Sequence, residues 1–243
     1  NYSAESLIVP LRSILIHQSK VMSASLINAE SPSAVMELLC IVTGNARVCE
    51  ALFKGDGESI IPAMFACLSC LGDAVVDTAL KFVEGLIEHD ETNSNEGNHV
   101  PLLQQNLHVL LLEFQKRLTT RSALLHDRAT RKVVFAMDQR VLGILSQVSV
   151  FATKQYENKQ LNKPVITVET CEKLVSLLLP YLRETRRLSK NAKKDILDTI
   201  CALTPFLADA TSHVTFLGML LLPGKHAPEG EVRVALMNLL VAI

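Results

Sequence analysis

The sequence predicts an all-α protein, an α-solenoid of HEAT- or armadillo-like helix pairs that forms a segment of a longer superhelix. Three observations point there. Leu177-Leu178-Leu179-Pro180 recurs as Leu220-Leu221-Leu222-Pro223, 43 residues later, and each copy closes one amphipathic segment and precedes another. Helix-pair repeats have a period of roughly 40 to 47 residues, because one hairpin buries a single face and must stack on copies of itself. The chain of 243 residues is 49% apolar but only 5% aromatic, so Leu, Ile, Val and Ala supply a core suited to helix-on-helix packing. Apolar residues also recur three or four apart in successive segments, separated by capping residues, prolines and polar stretches.

In chain order, Ser31-Pro32 reads as an N-cap followed by proline at the first helical position, opening Val35 to Val42, with Gly44 as the stop. Glu58 to Leu71 is the next helix, carrying Ile60, Ile61, Met64, Phe65, Cys67, Leu68 and Leu71, with Pro62 tolerable in a first turn. Asp73 starts its partner, which runs through Glu88 on a stripe of Val76, Leu80, Val83 and Ile87. His89 to His99 is rich in Asp, Glu, Asn and Ser and reads as a polar loop. Val100 to Leu118 returns to helical spacing through Leu103, Leu107, Leu110, Leu111 and Phe114.

Residues 119–136 read as an insertion or connecting region, with Arg121, Arg128, Arg131 and Lys132 around a short apolar piece. It separates acidic helical repeats over 1–118 from basic HEAT-like repeats over 137–243, without an independent globular boundary. Asp138 to Ala152 is helical on Val141, Leu142, Leu145, Val148 and Phe151, and Thr153 to Ile166 is a Lys/Asn/Gln-rich linker. Thr167 then offers an N-cap with Glu169 at the positive end of the helix dipole. The hairpin Val168 to Leu207 follows, with Cys171, Leu174, Val175, Leu178 and Leu182 on its first helix and Ile196, Leu197, Ile200, Leu203 and Leu207 on its second. A last pair, Ser212 to Leu222 and Glu231 to Ile243, ends in an apolar run that a terminal repeat would expose. Terminal repeats carry polar caps, so the chain is expected to be part of something longer.

Composition excludes several classes. No apolar run reaches the roughly 18 residues of a membrane span, and no signal-peptide pattern opens the chain. Six cysteines at 40, 49, 67, 70, 171 and 201 sit among apolar neighbours, as small buried hydrophobes of a reducing compartment do. Cys67-Leu68-Ser69-Cys70 has the spacing of a zinc knuckle, but within a helix it reads as core, and no metal or cofactor is expected. The Gly-rich phosphate loop, the nucleophile elbow and the His-Glu metal helix are all missing, so no catalytic residue is assigned. The seven histidines have no ligand spacing, and Asn1-Tyr2-Ser3 is a chance glycosylation sequon.

Charge is the most useful functional clue. Residues 1–115 contain 5 Lys/Arg and 14 Asp/Glu, a net of −9, whereas residues 116–243 contain 19 and 11, a net of +8. A basic half predicts an anionic partner, nucleic acid being the commonest. Its densest part is Arg183, Arg186, Arg187, Lys190, Lys193 and Lys194, straddling the turn of the Val168 to Leu207 hairpin. Such an edge suits phosphate oxygens, bidentately through Arg and as point charge through Lys. No aromatic residue interleaves with it, so contact with RNA would be through the backbone and not through stacking. The bland alternative is a solvated hairpin tip diluted by Glu184 and Asp195.

Met137 to Leu145, and Cys171 to Leu207 with its Leu-Leu-Leu-Pro-Tyr-Leu and Ala-Leu-Thr-Pro-Phe-Leu closings, resemble the very large HEAT-repeat component of the small-subunit processome, the down-regulated-in-metastasis protein family. That resemblance implies a nucleolar, non-catalytic scaffold inside a large ribonucleoprotein, binding assembly proteins and pre-rRNA or snoRNA during 18S maturation. It brings no residue motif with it, so the basic cluster rests on charge alone. Two other classes compete. A karyopherin-like or other protein-only adaptor would suit the acidic first half, including Glu84, Glu88, Asp90 and Glu91, and an enzyme would need a polar constellation the sequence lacks.

Overall fold

A computed structural model describes residues 10, 13, 17, 33–43, 49, 52–53, 60–70, 72–93, 101–124, 131–157, 166–183 and 188–206. Every regular element among them is helical. The α-helices are α1 (Ala34–Thr43), α2 (Ile60–Ala66), α3 (Asp73–Asn93), α4 (Leu102–Leu124), α5 (Arg131–Glu157), α6 (Val168–Arg183) and α7 (Lys190–Leu203), with 3-10 turns at Cys67–Ser69 and Thr204–Phe206. Two compact units divide the chain, Asn1–Phe114 and Gln115–Ile243. Gln115 is uncharged, so the change from net acidic to net basic falls at this same division.

In the first unit, α1 packs on α3 through Met36, Leu39, Val42 and Thr43. Ser33 Oγ accepts the Met36 amide hydrogen at 3.4 Å, so the cap of this helix is Ser33; the Ser31-Pro32 pair lies outside the described residues. The two helices meet at Gly85, where an added methyl would lie 2.8 Å from Thr43 Cβ and collide with Thr43 Oγ1. Cys40 donates its thiol to the Thr78 carbonyl at 3.2 Å along the same seam. Phe82 of α3 holds the layers together by edge contacts to Phe53 and Phe65, with ring centroids 5.9 and 6.4 Å away.

Two readings of this unit are corrected. Of the segment expected as one helix from Glu58 to Leu71, the described residues 60–70 form a short α2 and a 3-10 turn, which Cys70 ends in an extended conformation at φ −69° and ψ 158°; 58, 59 and 71 lie outside the described residues. Pro62 does sit in the first turn of α2, where its missing N–H breaks no helical bond. The stripe Val76, Leu80, Val83 and Ile87 is buried as read, but α3 continues five residues beyond Glu88. His89 to Asn93 is therefore helix and not loop. The cause is a tertiary contact: the Asp90 carboxylate turns inward and caps the start of α4.

Helix α4 buries Leu103, Leu107, Leu110, Leu111 and Phe114 as its periodicity predicts, and it runs on to Leu124. Residues 131–136 open the 27-residue α5, so the stretch 119–136 is helical at both ends, with 125–130 outside the described residues. The reading of Thr153 to Ile166 as a linker is also corrected at its start, because 153–157 complete α5. Thr153 explains this: its hydroxyl reaches the Ala202 carbonyl at 2.6 Å, satisfying a helix-end acceptor of α7.

In the second unit, α6 starts where Thr167 Oγ1 accepts the Thr170 amide hydrogen at 3.2 Å, with Glu169 in the first turn. Cys171, Leu174, Val175 and Leu178 form the expected buried stripe. Leu177-Leu178-Leu179-Pro180 does not close this helix, which runs through Pro180 to Arg183. Proline in a last turn forfeits one backbone hydrogen bond, and the fully buried Tyr181 offsets it by anchoring that turn. Helix α7 packs on α5 and α6 with Ala192, Ile196, Leu197, Ile200 and Leu203 buried. Its last carbonyls are taken by Thr153 and by the Cys171 thiol, 3.2 Å from Leu203 O. The second Leu-Leu-Leu-Pro copy and the final helix pair lie outside the described residues.

Candidate nucleic-acid interface

The six basic residues singled out in the sequence divide three ways. Arg183 is the last residue of α6, Arg186 and Arg187 fall outside the described residues, and Lys190, Lys193 and Lys194 lie in the first turns of α7. Lys190 and Lys194 are exposed one turn apart and Lys193 is half-buried beside them. Their placement follows from the opposite face of α7, where Ala192, Ile196 and Leu197 are fixed in the core and turn the lysines outward. Helix α7 begins at Ser189, whose backbone is extended and whose Oγ accepts the Ala192 amide hydrogen at 3.1 Å. This cap was not part of the charge-based reading, although a Ser before a helical stripe is a legible signal.

Two carboxylates share the edge. Asp195 and Asp198 are partly buried, and burial pushes both above the ordinary carboxylate range. Asp198 adds to the rise at Asp195, while the Lys194 ammonium pulls both down. Lys194 thus spends part of its charge on its own helix. Asp195 lies along α5, where a methyl on Gly143 would meet its Oδ2 at 3.5 Å.

Not all of the basic excess of the second unit reaches the surface. Arg117 is 3% exposed and Asp138 2%, and Arg121 Nε lies 3.5 Å from Asp138 Oδ1. The Tyr181 phenol is buried at the same junction; burial raises its pKa most, the Asp138 charge raises it further, and Arg121 and Arg117 oppose the rise. Helices α4, α5 and α6 therefore share a polar junction inside this unit. Sequence spacing offers no sign of it, since an arginine four residues from another reads as a solvated face. Exchanging a buried ion pair of this kind for well-packed apolar side chains is often neutral for stability, whereas removing one partner leaves an uncompensated buried charge.

The Cys67 and Cys70 pair sits on the 3-10 turn and not within an α-helix, which corrects the reading of that motif. Both thiols are buried. Cys67 donates to the Ala63 carbonyl at 3.4 Å, and its pKa is raised first by a hydrogen bond with Cys70 and then by burial. Such a turn is the shape a zinc knuckle uses, yet no group of three His, Cys, Asp or Glu side chains able to hold a metal occurs among the described residues. Within those residues, no helix is long and apolar enough to cross a membrane.

Residues 22–243 match the family model described as U3 small nucleolar RNA-associated protein 20, N-terminal. No curated protein and no solved structure matches the chain. The chain belongs to that family of small-subunit processome components, and membership implies a role in ribosome biogenesis. The resemblance drawn from the second half of the sequence thus holds, and it reaches back almost to the beginning of the chain.

Proposed function

We propose that this family member is a non-catalytic scaffold of the small-subunit processome in the nucleolus, a HEAT-like α-solenoid that supports 18S pre-rRNA maturation. Its helix faces bind assembly proteins, and Arg183, Arg186, Arg187, Lys190, Lys193 and Lys194 hold the phosphates of pre-rRNA or snoRNA. Family membership over 22–243 is the observation that carries this reading. The helical elements among the described residues and the 43-residue recurrence of Leu-Leu-Leu-Pro support the solenoid. Exposure of Lys190 and Lys194 supports the phosphate edge, and the lack of aromatic residues in the cluster favours backbone contact over stacking.

Ultraviolet crosslinking of the protein in cells, followed by sequencing of the attached RNA, tests this directly. Enrichment of pre-ribosomal RNA or its guide snoRNA at peptides spanning 183–194 is the expected result. Background RNA alone would overturn the RNA contact and leave a protein-only adaptor.

A further inference from the structure

Ser189 stands in the middle of the basic edge. Arg186 and Arg187 precede it by three and two residues, and Lys190, Lys193 and Lys194 follow it. Its side chain is exposed, and its hydroxyl accepts the Ala192 amide hydrogen at 3.1 Å, its one hydrogen bond among the described residues. We propose that Ser189 is a phosphorylation site for a serine kinase that selects arginines on the amino side, and that its phosphate switches off the RNA contact of this edge. The consequence for RNA rests on the proposed function; the modification itself does not.

Arg186-Arg187-Leu188-Ser189 presents two guanidinium groups at the spacing from which an acidic kinase groove can hold a serine, through bidentate charge-assisted hydrogen bonds. Ser189 Oγ attacks the γ-phosphorus of ATP, the new O–P bond replaces the bond to the β-bridging oxygen, ADP leaves, and the hydroxyl proton passes to the kinase base. To enter the kinase, the residue must release Ala192 and Leu188 must leave its buried position. Leu188 and the first turn of α7 have to open together. Thr167, the cap of α6, is also exposed but has Pro164, Val165 and Ile166 before it and Glu169 after it, so it is an internal control without the arginine signature.

The product fits the folded protein. A phosphate at this position carries about 1.5 to 2 negative charges at neutral pH. It meets the first amide groups of α7 and the positive end of the helix dipole, so the folded state accepts it. The same charge lies next to Lys190 and one turn from Lys193, and it competes with RNA phosphate for both.

The test treats the purified chain with ATP and a basophilic serine kinase, maps the phosphate by mass spectrometry, and measures binding of a pre-ribosomal RNA fragment before and after. Phosphate on Ser189 and not on Thr167 is the expected result, with weaker RNA binding and a salt slope flatter by about 0.7 for each RNA phosphate no longer neutralised. Ser189→Asn retains a capping side chain while refusing phosphate, and should keep both fold and RNA binding after kinase treatment. Absence of phosphate at Ser189 would overturn the site. Phosphorylation that leaves RNA affinity unchanged, while K190E/K194E lowers it, would overturn the switch. Failure of the untreated chain to bind RNA would refute the RNA contact and with it the switch, and phosphate incorporation alone would then decide the site.

Discussion

The Asp90 carboxylate accepts the Leu103 amide hydrogen at 2.7 Å and the Leu102 amide hydrogen at 3.0 Å, so a residue near the end of α3 caps the start of α4. His89 Nδ1 lies 3.1 Å from the same carboxylate, and neither side chain is exposed. Leu102 and Leu103 are the first residues of their helix and have no intrahelical acceptor for these donors. Asp90→Ala should therefore destabilise the first unit by about 1–3 kcal/mol for each buried amide left unsatisfied. Asp90→Asn, which keeps one acceptor oxygen, should fall between. Urea denaturation of the three proteins checks this, and an unchanged midpoint for Asp90→Ala would remove the capping role.

Gly85 is fixed by a close approach and not by a turn. Gly85→Ala forces its new methyl against Thr43 and should cost about 1–3 kcal/mol, as overpacking of a tight seam does. Thr43→Ala in the same chain removes the hydroxyl collision but leaves the clash with Cβ, so rescue should be partial. A double-mutant cycle on thermal unfolding measures the coupling. Additive effects would mean that α1 and α3 do not touch there.

Asp195 and Asp198 give the second unit a pH dependence of defined sign. Their folded pKa values lie above the ordinary 3.8, chiefly through burial, so the folded state binds protons more readily than the unfolded chain. Their ionisation costs stability above the raised value, and that loss is recovered as the pH falls through it toward 3.8. Asp195→Asn with Asp198→Asn should stabilise the protein at neutral pH, and the gain should vanish in acid. Melting temperatures from pH 7 to pH 4 decide it. A gain that grows in acid would reverse the sign.

Burial should also silence the thiols. It is the main cause that pushes Cys40 and Cys201 up to about 11 and Cys171 up to about 12. Since the thiolate is the reacting form, alkylation near pH 8 should be much slower in the folded protein than in urea. Site-resolved mass spectrometry after a timed iodoacetamide pulse reads this for each cysteine. Equal rates with and without urea would contradict the packing of α6 and α7 around Cys171.

Much of the fold is legible because α6 and α7 encode themselves locally. Thr167 and Ser189 are capping residue types, and Leu174, Leu178, Ile196 and Ile200 repeat at helical spacing, so stripe and boundary agree. The misread segments owe their structure to distant partners. His89 to Asn93 is polar and looks solvated, yet Asp90 serves a helix twelve residues on. Thr153 belongs to α5 because Ala202 supplies its partner, 49 residues away. The site was half legible: lysine spacing fixes Lys190 and Lys194 on one face of α7, but nothing in the local sequence says that Arg117 is withdrawn into the core.

The most direct measurement of the central claim is the affinity of the chain for a pre-ribosomal RNA fragment as a function of salt, with and without Arg186, Arg187, Lys193 and Lys194 reversed to Glu. A phosphate-binding scaffold predicts a steep fall of affinity with salt, and a variant that binds more weakly with a slope lower by about 0.7 for each RNA phosphate it no longer neutralises. Equal affinity and equal slope in the two proteins would contradict the assignment of this edge to RNA.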